Sequence, residues 1–220
     1  MKINFRNATP ADIPFLVETI LEAEKSGTEI LSYSTIFGLD ESDVKRIIAS
    51  MLEEGVDGCE LSVSSFFLAE SDGISVGAVC AWIEGVDGVP SSILKGNLLR
   101  YSLPKESLDS AQSINYLIKE LHIEYFPNSI QVGLVYVKEE ARGQGLVRQL
   151  IKHKIAELKL LKPQIEDVYV QVFGHNIPAI RAYEKLGFQT INLKSSNVEE
   201  IKYYLPSATK ILMKLFKTNK

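Results

Sequence analysis

Cysteine and histidine are scarce in this 220-residue chain, with two of the first and three of the second. Cys59 and Cys80 stand far apart and match no metal-ligand or redox spacing. They read as free thiols of a reducing compartment rather than as a disulfide framework. His122, His153 and His175 are dispersed and make no ligand cluster, so no metal site is expected. Long apolar runs are missing too, and nothing approaches the length of a bilayer span. The opening MKINFRNATPADIPF puts charged and polar residues where a secretory leader needs an apolar core. The expectation is a soluble, cytoplasmic protein with no membrane partner. A surplus of positive charge is also absent. Lys and Arg total 24 against 28 Asp and Glu, a net charge of −4, which gives no overall field for gripping nucleic acid. There is no internal repeat and no low-complexity linker.

What is present is ordinary for a globular protein: 45% apolar and 24% charged residues, enough for one domain over 1–220 with a full core. Residues 2–6 alternate like a strand. Thr9 or Asp12 can cap a following helix with Pro10 in its first turn, and Ile13, Phe15, Leu16, Ile20 and Leu21 recur at helical spacing. The stretch 26–38 reads as flexible. Asp40, with Asp43 three residues on, starts a second helix through Val44, Ile47, Ile48, Met51 and Leu52. A hairpin follows, with arms at 66–70 and 75–83 about the turn dipeptide Asp72-Gly73. Residues 85–97 read as a connection rich in Gly, Ser and Pro, and 108–120 has helical periodicity. Strands are expected at 130–137 and 167–173, an amphipathic helix at 145–159, and a short helix at 176–186 stopped by Gly187. Two antiparallel strands, 188–193 and 209–216, end the pattern, and the tail 217–220 is expected to fray.

The chemistry concentrates in two places. In the first, a strand ends near Val137 and Arg142-Gly143-Gln144-Gly145 opens a helix through Leu146 and Val147. The first turn of a helix has unpaired N–H groups, and glycines let an anion approach them. Arg142 can add charge-assisted hydrogen bonds. A bare G-x-G can equally be a tight turn. It is neither a Rossmann fingerprint, lacking the third glycine, nor a Walker A motif, lacking Gly-Lys-Ser/Thr.

The segment instead resembles the acetyl-CoA signature of the GNAT superfamily of N-acetyltransferases: Arg or Gln, two residues, Gly, one residue, then Gly or Ala. Arg142 and Gly145 match, while Val147 stands where a small residue is usual. The second place is Asn176-x-x-Ala179-x-x-x-Tyr183-x-x-x-Gly187-Phe188. It too resembles this superfamily, at the expected distance, as does the opening Arg6-Asn7-Ala8-Thr9 with Asp12. The resemblance covers nearly the whole chain and is weakest over 85–128, a longer connection than usual.

The resemblance implies an α/β fold: a mixed, mostly antiparallel sheet of about seven strands flanked by helices, with a splayed central pair. It implies acetyl-CoA as acyl donor. The pantetheine arm would lie against the backbone of Val135 and Val137, the pyrophosphate against Arg142, Gly143, Gln144, Gly145, Leu146 and Val147, and Asn176 nearby. Tyr183 would be the general acid for the leaving thiolate, and the Val135 N–H an oxyanion donor. Asn176 also reads as a helix cap and Tyr183 as a packing aromatic. The amine must be neutral to attack, so a base is needed. Glu84 and Glu70 lead, followed by His122 and Glu124. The acceptor is a small amine, an antibiotic or a peptide or protein amine, and exposed sheet edges are compatible with a homodimer. An acyl-CoA-binding regulatory module with weak or no transfer is the alternative.

Overall fold

The computed structural model describes residues 3–216, so Lys2 and the tail 217–220 lie outside the described residues. Strand β1 (Ile3–Asn7) leads into a turn of 3₁₀ helix, Pro10–Asp12, closed by a reciprocal capping box between Thr9 and Asp12. Asp12 also accepts two bonds from Arg6, which reaches Glu70 as well. The arginine beside it holds the Asp12 carboxyl down at about 2. Helix α1 (Ile13–Lys25) follows and buries Ile13, Leu16, Val17, Ile20 and Leu21.

The expected flexible stretch contains a short helix, α2 (Ser32–Phe37), ended by Gly38 at φ 64°. Leu31 and Tyr33 are buried there, so tertiary packing overrides a sequence rich in Ser and Thr. Helix α3 (Glu41–Glu53) begins where expected, with Asp40 accepting from the Asp43 N–H at 2.8 Å. The hairpin is β2 (Phe66–Ser71) and β3 (Ile74–Ile83), turning through Asp72 and Gly73 at φ 51° and 80°.

The segment between β3 and the next strand is helical: α4 (Ser91–Ser102), α5 (Lys105–Ser113) and α6 (Asn115–Glu120). The expected irregular connection at 85–97 therefore already contains the start of α4. Its signal is non-local. The first N–H of that helix, from Ser91, donates to the Glu84 carboxylate at 2.9 Å rather than to a neighbouring cap. Then come β4 (Ile130–Val137), α7 (Leu146–Leu161), β5 (Val168–Phe173), α8 (Ile177–Glu184), β6 (Phe188–Ser195) and β7 (Thr209–Leu215). No described helix is long and apolar enough to cross a membrane.

The seven strands form a sheet in the order β1-β2-β3-β4-β5-β7-β6. β4 and β5 are parallel, and every other neighbouring pair of described strands is antiparallel. One apolar cluster packs α7 and α8 on one face, and another packs α1, α3 and α4 on the opposite face.

Two irregularities shape β4. Its pairing with β5 stops after Val132↔Val170. At the same place its register with β3 slips: Ala81 faces Val132 but Val79 faces Val135, so Gly133 and Leu134 together oppose Cys80. This is a β-bulge, and it bends the strand that carries it. It also resets the alternation. Ile130 and Val132 face the α7 core before the bulge, and Val135 and Val137 face it afterwards. Leu134 packs in the opposite cluster with Trp82.

Gly133 is required by contact. A Cβ there would lie 2.7 Å from Cζ3 of Trp82. Gly133→Ala should displace the indole and cost about 1–3 kcal/mol of stability, as overpacked sites do. Urea unfolding measures the loss. The emission of Trp82, the chain's single tryptophan, reports the displacement.

Candidate active site

Where β4 leaves β5, a cleft of about 480 Å³ passes through the sheet. Its walls include Val135, Val137, Arg142, Val147, Asn176, Ala179 and Tyr183. The backbone of β4 faces into it. Lys138 N–H donates to Val76 on the β3 side at 2.9 Å, so strand alternation turns the amides of Val137 and Val135 toward the gap. Arg142 Nε donates to the Val137 carbonyl at 3.1 Å, which fits that orientation. β5 has no pairing residue there to receive these groups.

Helix α7 starts beside the gap. Its N-cap is Gly145, at φ 72°, and no side chain caps it. Gly143 also has positive φ, at 78°, and a Cβ on either glycine would meet nothing within 4 Å. Gln144 is exposed on the same turn. Leu146 is buried in the α7 core, so what it turns toward the loop is its backbone. The first-turn N–H groups thus border open space at the positive end of the helix dipole. This donor set suits a pyrophosphate, and the unpaired edge of β4 suits an amide-bearing arm, so the residues fit coenzyme A.

Asn176 is engaged at both ends. Oδ1 accepts from Ala179 N–H at 3.1 Å and caps α8, while Nδ2 donates to Ser26 Oγ at 2.9 Å. His175 reaches the Ser26 carbonyl at 2.9 Å, so the loop before α8 is tied to the end of α1. Tyr183 is buried edge-on to Phe188, with ring centroids 5.8 Å apart. Its hydroxyl has no hydrogen-bond partner among the described residues. Burial pushes its pKa to about 12.

The other end of the cleft lies on the α1 side and is charged. Glu24, Glu60, Trp82, Tyr125 and Lys210 line it. Glu60 pairs with Lys95 at 2.7 Å, and that ammonium also sits 5.4 Å over the Tyr33 ring. Burial raises the Glu24 pKa, with Lys95 partly offsetting it. Sequence reasoning missed Glu24, although a signal was there. It occupies the next position on the stripe Leu16, Ile20, Leu21, where an apolar residue would continue the pattern.

The two leading candidates for the base lie elsewhere. Glu84 is 3% exposed, and its oxygens accept from Trp82 Nε1 at 2.9 Å and from the Ser91 N–H and hydroxyl. Glu70 is bound to Arg6 in the bridge to Asp12. Neither lines the cleft. His122 and Glu124 are exposed and do not line it either.

Solved structures share this architecture. An N-acetyltransferase from Staphylococcus aureus Mu50 superposes with a TM-score of 0.67 at 14% identity, over 96% of this chain and 100% of that one. A polyamine N-acetyltransferase of Drosophila melanogaster gives 0.58 at 16%, over 98% and 100%. A ribosomal-protein-alanine N-acetyltransferase from Brucella melitensis gives 0.55 at 18%, over 97% and 99%. No curated protein matches the sequence significantly. The fold defined by the split sheet is thus that of N-acetyltransferases. The sequence profile described as the acetyltransferase (GNAT) family matches residues 41–188, and the chain belongs to that family.

Glu84 braces the wall of the cleft by holding Trp82 and the start of α4. Glu84→Ala would leave buried donors unpaired and should cost about 3 kcal/mol, from about 1–3 kcal/mol for each orphaned group. Chemical denaturation checks this. Unchanged stability would contradict the bracing role.

Proposed function

We propose that this protein transfers the acetyl group of acetyl-CoA directly to a primary amine. The observation that carries the reading is the gap between β4 and β5, with the amides of Val135 and Val137 turned into it and an uncapped helix start beside it. Val135 and Val137 pair with the pantetheine arm. The backbone from Gly143 to Val147, with Arg142, holds the pyrophosphate. Gln144 and Leu146 contribute through their main chain, and Asn176 acts by fixing α8 against the end of α1. Bound acetyl-CoA supplies an activated thioester carbonyl.

The amine reaches that carbonyl from the α1 side. Glu24 takes the proton from the attacking nitrogen, replacing Glu84 and Glu70 in that role because it lines the cleft and they do not. Its raised pKa moves a carboxylate toward the basicity a general base needs. The Val135 N–H donates to the carbonyl oxygen as negative charge develops. The C–N bond forms and the C–S bond breaks. Tyr183, kept protonated by burial, donates its proton to the departing sulfur. The chain is one domain in this reading, and 85–128 helps close the acceptor side. The polyamine and ribosomal-protein-alanine enzymes of like fold are named for different acceptors, so the fold does not choose between small amine and protein.

Calorimetry tests donor binding. Wild type should bind acetyl-CoA, and Gly145→Glu, which sets a carboxylate at the pyrophosphate cradle, should lose binding while keeping a cooperative melting transition. Wild type that binds no acetyl-CoA would sink the proposal. For the chemistry, Glu24→Gln should lower kcat about 10²–10⁴-fold. In wild type, kcat/KM should rise with pH through the elevated Glu24 pKa, because the ionised carboxylate is the active form. The glutamine variant should lack that limb. A variant profile that keeps the limb would assign the base elsewhere.

A further inference from the structure

The acceptor end of the cleft contains two opposite charges without counter-ions of their own. Glu60 and Lys95 neutralise each other there. Glu24 and Lys210 line the same space, yet neither forms an ion pair with a described residue. The Lys210 ammonium makes no hydrogen bond to a described residue either.

Both groups are held by rigid elements. Lys210 stands in β7, paired with Phe173 on one side and Lys194 on the other. Its strand neighbours Ile211 and Met213 enter the α7 core, so alternation sends Lys210 to the opposite face, the one with Tyr125 and Trp82. Glu24 projects from the last turn of α1. The two charges therefore converge from opposite sides of the same opening.

An ammonium drawn out of water without a partner is costly. Burial lowers the Lys210 pKa, and Glu24 offsets this only in part. A bound anion would remove the penalty. Resting on the acyl-transfer reading above, we infer that the acceptor is an amine carrying a carboxylate a few bonds from its nitrogen, with Lys210 as counter-ion to the carboxylate and Glu24 at the amine. A carboxylate fits better than a phosphate. At this end of the cleft a single cation, Lys210, is unpaired among the described residues; it balances the one charge of a carboxylate and would leave the second charge of a phosphate dianion uncompensated. Trp82 and Tyr125, in edge contact at 5.4 Å, give the connecting carbons an apolar wall.

The test uses matched acceptors: amino acids, and the amines left when the carboxylate is replaced by hydrogen. Turnover is followed as release of the CoA thiol. Wild type should favour the carboxylated member of its best pair at least tenfold in kcat/KM. Lys210→Met should raise KM for that member tenfold or more and erase the preference, while KM for the decarboxylated amine and the Kd for acetyl-CoA stay the same. Lys210→Arg should keep the preference and guards against a folding defect in the methionine variant. Wild type that prefers the decarboxylated amines, or acetylates no carboxylated one, overturns the inference, as does a preference that survives Lys210→Met. If calorimetry shows no acetyl-CoA binding by wild type, the acyl-transfer reading falls and the inference with it. Binding without the carboxylate preference removes the inference alone.

Discussion

Everything in the site depends on β4 leaving β5. The two strands are paired through Val132 and Val170 and then separate, at the residues where β4 carries an extra residue opposite Cys80. A strand inside a sheet normally spends its amides on both neighbours. Beyond the bulge, β4 is hydrogen-bonded on one side only and presents a free edge in the middle of the protein. Gly133 makes this geometry feasible because the Trp82 ring fills the space of its missing side chain. Glu84 then fixes the ring through Nε1. The opening is thus held by a chain of contacts: Ser91 to Glu84, Glu84 to Trp82, and Trp82 against Gly133.

The cleft has two chemically different ends because it crosses the sheet. On the α7 and α8 side the walls are the β4 backbone at Val135 and Val137, Arg142, Val147, Ala179 and the buried phenol of Tyr183. On the α1 side they are carboxylates, the Lys210 ammonium and aromatic rings. Desolvation acts in the same direction on Tyr183 and Glu24, favouring the neutral form of each. The consequences differ with chemistry. The phenol is kept as a proton donor, and the carboxylate becomes a stronger proton acceptor once ionised. The other carboxylates lining the cleft are paired: Glu60 with Lys95 and Glu22 with Lys25.

The regular parts of this architecture were legible in the sequence. Strand β4 spans the run rich in branched residues, 130–137, where a strand is expected, and Asp40 and Asn176 cap the helices they were expected to cap. The α7 end of the cleft was legible as a unit because its residues are contiguous: a strand, a glycine turn and a helix start occupy 130–147. The α1 end was not. Glu24, Glu60, Trp82, Tyr125 and Lys210 come from five separate stretches of chain, and no local spacing joins them. Glu84 and Glu70 drew attention as carboxylates at strand ends, a position that says nothing about partners. Their partners, Ser91 and Arg6, are set by tertiary contact. Helices α2 and α4 were missed for the same reason, since burial and a distant carboxylate stabilise them rather than local propensity.

The most direct test of the account is amide hydrogen exchange, read residue by residue with and without acetyl-CoA. The account predicts that saturating acetyl-CoA slows exchange at Val135 and Val137, on the free edge of β4, and at Gly145, Leu146 and Val147, at the start of α7. Binding of acetyl-CoA that leaves those five amides unchanged would contradict it.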